Sequence, residues 1–270
     1  MSALPGRLVL LGHPVAHSLS PTFQNAALRS AGLPLRYEAV DVPPVGLSDT
    51  LTRLVAERAA GNITIPHKEH VAARCDRLTP LATRVGAVNT FWVEDGALAG
   101  DNTDVGGFLR LLDATAPDAD RTRPVVVLGA GGAAAAVLAA LEAAGFRDVR
   151  LHARTASRAL ALCERFALAR ALDTPDLLFR VLRDAAVLVN ATPVGLDDNL
   201  PVDVDRLAPD AAVLDLIPRR DETPLVRAAR SRGHRAADGL EMLLAQGALS
   251  FERWFGITPD WAAMRASVAR

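Results

Sequence analysis

Short apolar runs and longer amphipathic stretches follow one another along the first 65 residues. Three apolar runs are typical of buried strands, at residues 7–12, 37–42 and 61–65. The stretches 20–30 and 47–59 between them have the spacing of amphipathic helices. Ser20, followed by a proline, is predicted to be the N-cap of the first helix. This order of elements predicts a parallel sheet with helices on its faces.

Residues 84–99 have a different pattern, with two short apolar runs separated by the turn Glu94-Asp95-Gly96. A turn of this composition between two runs predicts a β-hairpin. We expect this hairpin to lie at an edge of the sheet.

A polar interruption at residues 113–123 has no apolar periodicity and predicts a domain boundary. A second α/β series follows it, with strands predicted at 124–129, 148–152, 186–190, 212–217 and 234–237. Residues 240–254 form an amphipathic helix that need not belong to this second domain. The chain therefore belongs to the α/β class and is predicted to have two domains, as its length of 270 residues permits.

Composition excludes several classes of function. The net charge is −1 and aromatic residues make up 4% of the chain, which argues against binding to nucleic acid or to an anionic membrane. Two cysteines are too few for a disulfide framework or a thiolate metal site. The most apolar stretch, residues 125–141, contains a glycine-rich turn and favours a packed strand and helix over a membrane span. We expect a cytoplasmic protein without a bound metal.

The second domain opens with VVVLGAGGAA at residues 125–134. Gly129, Gly131 and Ala134 satisfy the dinucleotide-binding pattern directly after a strand and before a helix. Such a loop lets the pyrophosphate approach the backbone amides at the helix N-terminus. The predicted cofactor-binding residues here are Gly129, Ala130, Gly131, Gly132 and Ala133.

The end of the next strand distinguishes the two nicotinamide cofactors. An NAD site places a carboxylate there to bind the ribose hydroxyls. This chain instead has Arg154, Thr155 and Arg158, and guanidinium groups suit a 2′-phosphate. The pattern favours NADP, the alternative being a solvated basic helix start.

Four polar clusters follow predicted strands of the first domain, at residues 18–21, 62–68, 86–90 and 100–104. Their hydroxyl, amide, lysine and aspartate groups suit a polyhydroxylated acid. With these clusters the chain resembles the shikimate dehydrogenase family, whose motifs match residues 12–21, 62–68, 86–90, 100–107, 129–133, 190–195 and 238–248. The resemblance covers nearly the whole chain in order.

The resemblance implies an NADP-dependent oxidoreductase that converts 3-dehydroshikimate to shikimate, in the pathway to chorismate and the aromatic amino acids. It implies a substrate-binding and catalytic domain at residues 1–112, joined by C-terminal helices at 239–270. Residues 113–238 would then form a Rossmann-like NADP-binding domain. Either a monomer or a homodimer is compatible with a chain of this size.

Site residues follow from the same motifs. Lys68 and Asp104 would be the catalytic pair, and Asp104 could also cap a helix. A lysine ammonium can donate the proton that the reduced ketone oxygen must gain. The substrate would be bound by Ser18, Ser20, Thr64, Asn89 and Gln246, with Thr192 and Gly239 added to the cofactor site.

The chain departs from the family at three positions. Ala153 stands in place of the usual asparagine and Pro193 in place of a frequent serine. Pro218 stands in place of a tyrosine near the substrate, and the only tyrosine of the chain is Tyr37. Loss of one hydrogen bond to a charged group costs about 1.5–3 kcal/mol. Arg219 or Arg220 could compensate at a substrate carboxylate.

Three other interpretations stay open. The chain could act on quinate or an aminoshikimate, with NAD as cofactor. It could be a non-catalytic metabolite sensor that kept the fold, or a different two-domain NADP enzyme. Retention of both Lys68 and Asp104 argues against a sensor. His67 and His70 lack partners at metal-ligand spacing, so we predict no metal there.

Overall fold

The computed structural model describes residues 4–219 and 221–269, which form two compact α/β units. Unit 1 comprises Met1–Asp104 and Leu244–Arg270, and unit 2 comprises Val105–Leu243. The two-domain α/β prediction is confirmed. The units divide at 104 and 244, whereas the sequence suggested 112 and 239. The polar residues 113–123 include the end of a helix and lie within unit 2, so the chain does not pass from one unit to the other there.

The secondary structure runs through both units in alternation. The strands are β1 Leu8–Gly12, β2 Tyr37–Asp41, β3 Ala60–Ile63, β4 Arg77–Leu78, β5 Thr90–Glu94, β6 Ala97–Asp101, β7 Val125–Leu128, β8 Val149–His152, β9 Ala169–Ala171, β10 Val187–Asn190, β11 Ala212–Asp215 and β12 Ala236–Ala237. The helices are α1 Ser20–Ser30, α2 Leu47–Ala56, α3 Lys68–Ala72, α4 Pro80–Val85, α5 Asp104–Thr115, α6 Gly132–Ala143, α7 Ala156–Arg165, α8 Pro175–Leu182, α9 Pro224–Ser231, α10 Leu240–Phe255 and α11 Trp261–Ser267.

The sheet of unit 1 has the strand order β2-β1-β3-β5-β6-β4. Its first three strands are parallel, as predicted, and β5 and β6 form the predicted antiparallel hairpin. The backbone at Asp95 and Gly96 has positive φ, which suits a tight two-residue hairpin turn. The edge position was wrong, because β4 pairs with β6 and covers that edge. A strand of two residues is too short to show a periodic pattern.

Both faces of this sheet are buried, which gives an α/β/α sandwich. On one face Val9, Leu11 and Ile63 belong to a core cluster with Leu51 and Leu54 of α2. On the other face lie α1 and α10. The side chain of Gln24 donates to the carbonyl of Gly247 at 2.9 Å, and the buried Asn62 of β3 donates to Ser250 of α10.

The first helix begins one residue earlier than predicted. Leu19 is the N-cap and Ser20 is already helical, so the prediction that Ser20 caps α1 was wrong. The Ser18 hydroxyl accepts a hydrogen bond from the Ser20 amide at 3.2 Å. Ser18 therefore satisfies one of the backbone donors at the start of the helix that have no carbonyl partner within the helix.

The sheet of unit 2 has the order β12-β11-β10-β7-β8-β9, and all its pairs are parallel. This is the doubly wound order of dinucleotide-binding folds, with its switch point between β7 and β10. Strand β9 was not predicted, because three residues with an exposed Arg170 carry little apolar signal. The core on one face joins Val126 and Leu128 to residues of α8 and α9, and residues 134–141 of α6 are buried without being part of that cluster.

Gly61 offers a stability test of unit 1. A Cβ at Gly61 would lie 1.9 Å from the Val9 carbonyl oxygen, whereas one at Gly46 would meet only Val42 at 3.9 Å. We expect Gly61→Ala to lower the free energy of unfolding by about 3 kcal/mol and Gly46→Ala to change it little. Urea denaturation followed by tryptophan fluorescence measures this, because Trp92, Trp254 and Trp261 all lie in unit 1. Equal stability of the two variants would contradict the packing described.

Candidate functional site

The carboxyl ends of β1 and β3 bring the first polar clusters of unit 1 together. These strands are parallel neighbours, so the loops that follow them leave the sheet at one edge. The Thr64 amide donates to the Leu11 carbonyl at 2.8 Å. A Cβ at Gly12 would lie 2.4 Å from the Thr64 methyl, so a glycine is needed under that side chain. Ser18 and Ser20 follow β1 on the same edge.

Lys68 and Asp104 meet as an ion pair. Lys68 is the first residue of α3 and Asp104 the first of α5, 36 positions apart in the chain. The Nζ of Lys68 donates to Oδ2 of Asp104 at 2.5 Å. The side chains are 17% and 7% exposed, so water weakly screens the pair and still reaches the ammonium. The structure therefore brings together the two groups predicted as a catalytic pair.

Asn89 and Gln246 join this pair through hydrogen bonds. The Nδ2 of Asn89 donates to Oδ1 of Asp104 at 2.8 Å, so both carboxylate oxygens have a donor. The same nitrogen donates to Oε1 of Gln246 at 3.2 Å and to Oγ1 of Thr103 at 3.0 Å. Gln246 lies on α10, and the C-terminal helix thus contributes to the cluster.

A buried polar network lies beneath Asn89. The Oδ1 of Asn89 accepts from the Thr103 amide at 2.7 Å, and the backbone carbonyl of Asn89 accepts from Asn62 at 3.0 Å. Asn62 also donates to the Ser250 hydroxyl at 2.9 Å and accepts from the Tyr37 hydroxyl at 2.8 Å. Burial raises the pKa of Tyr37 well above its usual value. The only phenol of the chain is therefore a neutral, structural donor.

Lys68 is also the only lysine among the 30 lysines and arginines of the chain. An arginine holds its proton across the accessible pH range, whereas a lysine can release one. The ammonium of this single lysine donates to Asp104, and Asp104 also accepts a hydrogen bond from the predicted substrate-binding residue Asn89. This compositional signal would have identified Lys68 without any motif.

Unit 2 presents a glycine loop at the switch point of its sheet. Gly129 has φ +107°, and a Cβ there would lie 2.8 Å from the Ala191 carbonyl oxygen. Gly131 is the N-cap of α6 and has no heavy atom within 4 Å of a Cβ position. No side-chain hydrogen bond caps α6, and its first amides have no carbonyl partner within the helix. These features fit a pyrophosphate approaching the backbone.

The loop after β8 carries the basic residues. Arg154, Thr155 and Arg158 are exposed, and Thr155 is the N-cap of α7 with no side-chain cap. Ala153 follows the strand where an NAD site would place a carboxylate. Because β8 is the neighbour of β7, these side chains lie next to the glycine loop at the same edge of the sheet.

Thr192 and Gly239 lie further along this edge. The Thr192 hydroxyl donates to Oδ1 of Asn190 at 2.7 Å, at the end of β10. A Cβ at Gly239 would lie 2.3 Å from the Leu216 carbonyl oxygen, so only glycine fits beside the end of β11. Predicted cofactor residues therefore follow β8, β7, β10 and β12, a row that suits an extended dinucleotide.

Asn190 and Asp215 were not among the site residues predicted from the sequence, although Asn190 lies within the matched motif at 190–195. Nδ2 of Asn190 donates to Oδ1 of Asp215 at 2.9 Å, and both side chains are fully buried. Burial raises the pKa of Asp215 despite its hydrogen bonds. Asn62, Thr103 and Ser250 were also missed as members of the network around Asn89. Asn62 and Thr103 lie within the polar clusters, but most of their partners are distant in the chain, so no local pattern indicates which groups bond to one another.

His67 and His70 do not share a ligand site. The buried His67 ring contacts the Val42 carbonyl through Nε2 at 2.6 Å, whereas His70 is exposed. In residues 4–219 and 221–269, no three His, Cys, Asp or Glu side chains converge as metal ligands would. Within the same residues, no helix combines the length and the apolar character needed to cross a bilayer.

Three family models match the chain. They are the shikimate dehydrogenase substrate-binding domain at residues 10–91, the shikimate/quinate 5-dehydrogenase at 114–195 and the shikimate 5′-dehydrogenase C-terminal domain at 239–269. The chain is 44% identical over 255 residues to a shikimate dehydrogenase (NADP(+)) from Mesorhizobium japonicum, covering 93% of this chain and 91% of that protein.

Solved structures are similar over the same extent. Shikimate 5-dehydrogenase from Thermus thermophilus, in complex with NADP(H) and shikimate, is 42% identical with a TM-score of 0.87, and 98% of each chain is covered. A quinate dehydrogenase from Corynebacterium glutamicum in complex with NAD is 30% identical with a TM-score of 0.88, covering 96% of this chain and 97% of that one.

Asp215 predicts a pH dependence of stability. Because burial raises its folded-state pKa, the folded protein binds the proton more tightly, and stability is lost as pH rises above about 3.9. Asp215→Asn removes this loss, so its stability relative to wild type should increase from pH 4 to pH 7. Urea denaturation followed by circular dichroism measures the difference.

Asp210 is the matched control, because hydrogen bonding to Arg123 lowers its pKa. The relative stability of Asp210→Asn should fall only as pH rises towards about 3.9 and should stay nearly constant from pH 5 to pH 7. A pH-independent difference for Asp215→Asn would show that its carboxyl group titrates alike in the folded and unfolded states.

Proposed function

Because the chain belongs to the shikimate dehydrogenase family, we propose that it catalyses the reversible NADPH-dependent reduction of 3-dehydroshikimate to shikimate. The observation that carries this proposal is the 2.5 Å contact between Lys68 and Asp104. In a chain that otherwise uses arginine, this ammonium is the one long basic side chain able to give up a proton.

Reduction of a ketone needs a proton at the oxygen as well as reducing equivalents at the carbon. NADPH supplies the hydride when bound. Lys68 lies in a site where its ammonium can stabilise negative charge on the substrate oxygen and donate the proton to it. In the reverse direction the neutral amine accepts that proton. The two groups are coupled, so their protonation steps belong to the pair.

Asp104 and Asn89 orient the lysine. Asp104 accepts from Lys68 through Oδ2 and from Asn89 through Oδ1, which fixes the carboxylate plane. Either oxygen has a further lone pair that can accept from a substrate hydroxyl. Gln246 adds an amide group beside Asn89. We assign Lys68 and Asp104 as the catalytic residues and Asn89 and Gln246 as substrate-binding residues.

We assign the remaining substrate contacts to hydroxyl groups. Ser18, Ser20 and Thr64 lie at the ends of β1 and β3, on the sheet edge where ligands of open α/β sheets bind. Serine and threonine hydroxyls both donate and accept, which suits the carboxylate and hydroxyls of shikimate. The Thermus thermophilus relative is described in complex with this acid.

We assign the cofactor site of unit 2 to NADP. Gly129, Ala130, Gly131, Gly132 and Ala133 would hold the pyrophosphate, because the amides of α6 are uncapped there. Arg154, Thr155 and Arg158 would hold the 2′-phosphate. Thr192 and Gly239 would adjoin the nicotinamide half. The Mesorhizobium japonicum relative is named as NADP(+)-dependent.

A second candidate is a quinate or aminoshikimate dehydrogenase, with NAD as cofactor. Pro218 at the tyrosine position and the likeness to the quinate dehydrogenase of Corynebacterium glutamicum favour it. The absence of a carboxylate directly after β8, within the described residues, argues against NAD.

We further propose that the enzyme acts in the cytoplasm. Cys75 and Cys163 are free thiols, as a reducing compartment requires, and burial raises the pKa of Cys75 to about 12. A homodimer stays a prediction.

The lysine is tested by two substitutions. Lys68→Ala should lower kcat by about 10²–10⁴-fold, the contribution of a general acid, with a much smaller change in KM for shikimate. Lys68→Arg should lose a similar factor, because it keeps the charge beside Asp104 but cannot release a proton. Steady-state kinetics with shikimate and NADP+ measure both.

Arg74→Ala is the matched control, because Arg74 is an exposed cation beyond α3 whose guanidinium donates to the His70 carbonyl. It should keep normal turnover. Normal turnover by Lys68→Arg instead would remove proton transfer from the role of Lys68.

Substrate and cofactor choice are tested with four pairings of shikimate or quinate with NADP+ or NAD+. We expect kcat/KM to be highest for shikimate with NADP+, by at least about tenfold over NAD+, from one charge-assisted contact to the 2′-phosphate. Arg154→Ala should reduce that preference. Preference for quinate with NAD+ would support the second candidate, and ligand-induced thermal stabilisation without turnover would support a sensor.

A further inference from the structure

The loop at residues 191–199 follows β10 and carries Thr192. Little of the apolar surface of this loop is buried, since Val194 and Leu196 are 37% and 61% exposed. Gly195 has φ +114°, so the loop turns sharply in its middle. A loop of this kind keeps its conformation mainly through hydrogen bonds, and two side chains outside the loop, Asn190 and Arg219, supply several of them.

The side chain of Asn190, the last residue of β10, holds the first half of the loop. Its Nδ2 donates to Oδ1 of Asp215 and to the Val194 carbonyl, both at 2.9 Å. Its Oδ1 accepts from the amide of Thr192 at 3.1 Å and from the hydroxyl at 2.7 Å. Every polar group of the Asn190 side chain is therefore used to hold the loop or to anchor itself.

Arg219 fixes the middle of the loop from the segment after β11. Its Nη1 donates to the Gly195 carbonyl at 3.1 Å and to Oδ1 of Asp198 at 3.2 Å. Its Nε and Nη2 donate to the two oxygens of Asp221 at 3.2 and 2.8 Å. The Asp221 carboxylate, on the same segment, therefore orients the guanidinium, and Nη1 makes the contacts with the loop.

We propose that Arg219 is a positioning residue that holds loop 191–199 in the conformation that binds the dinucleotide. The proposal rests on the assignment of this sheet edge to NADP. It also gives Arg219 a different role from the compensating contact with a substrate carboxylate that the sequence suggested. At least four of its hydrogen bonds go to groups of unit 2. Arg220, the other arginine suggested, lies outside the described residues.

The test is NADP+ binding by the full-length chain, measured by isothermal titration calorimetry. Arg219→Ala should weaken binding about fivefold, because loss of its two hydrogen bonds to the loop lowers the population of the conformation that binds the dinucleotide. KM for NADP+ should rise by the same factor, while kcat and KM for shikimate stay within about twofold. Hydrogen exchange at the Thr192 and Leu196 amides should become faster, since the loop opens more often.

Arg232→Ala is the matched control. Arg232 makes a comparable bidentate ion pair on the surface of unit 2, where its guanidinium donates to both carboxylate oxygens of Asp205. It should leave NADP+ affinity unchanged. Equal affinity of Arg219→Ala and wild type would overturn the proposal. So would a rise in KM for shikimate with unchanged NADP+ affinity, which would place Arg219 against the substrate.

The unmodified chain separates this inference from the proposed function. If wild type does not bind NADP+, the cofactor assignment fails and the inference fails with it. If wild type binds NADP+ and Arg219→Ala binds it equally well, the cofactor assignment stands and the inference alone is wrong.

Discussion

The contact between the Lys68 ammonium and the Asp104 carboxylate is the interaction around which the polar groups of the candidate site in unit 1 are arranged. Two opposite charges mostly removed from water are stable only when hydrogen bonds satisfy their remaining atoms. Asn89 supplies the second donor to Asp104, and Thr103 in turn holds Asn89. The network continues through Asn62 to Ser250 on α10. The C-terminal helix therefore belongs to unit 1 for a chemical reason as well as for packing.

Unit 2 depends on a different constraint, which is close approach of backbone segments. Gly129 passes beside the loop after β10, and Gly239 passes beside the end of β11. Side chains at these positions would separate the strand ends that form the candidate cofactor site. Asn190 and Asp215 add a buried polar anchor at the centre of the same edge. The burial that raises the pKa of Asp215 is a cost of placing that anchor inside the sheet.

Local patterns predicted most of the fold, because strands and helices here differ in apolar period. The parallel strands β1 to β3, the hairpin and the glycine loop followed from spacing and turn chemistry. Several short elements did not, among them β4 and β9. β4 and β9 have two and three residues, so their existence depends on pairing with a neighbour and not on their own sequence. The division between the units also fell within helices α5 and α10, where composition gives no signal.

The sequence by itself determined the α/β class, the resemblance and the identity of the groups in the candidate site, including the single lysine. Each of these depends on residue type and on spacing within a few positions. Only the tertiary structure decided which of those groups bond to one another. Asn62 and Ser250 are 188 positions apart, and Arg219 reaches Gly195 across 24 positions. Such partners are selected by the packing of sheets and helices, because a hydrogen bond depends on distance and angle in space and leaves no period in the chain.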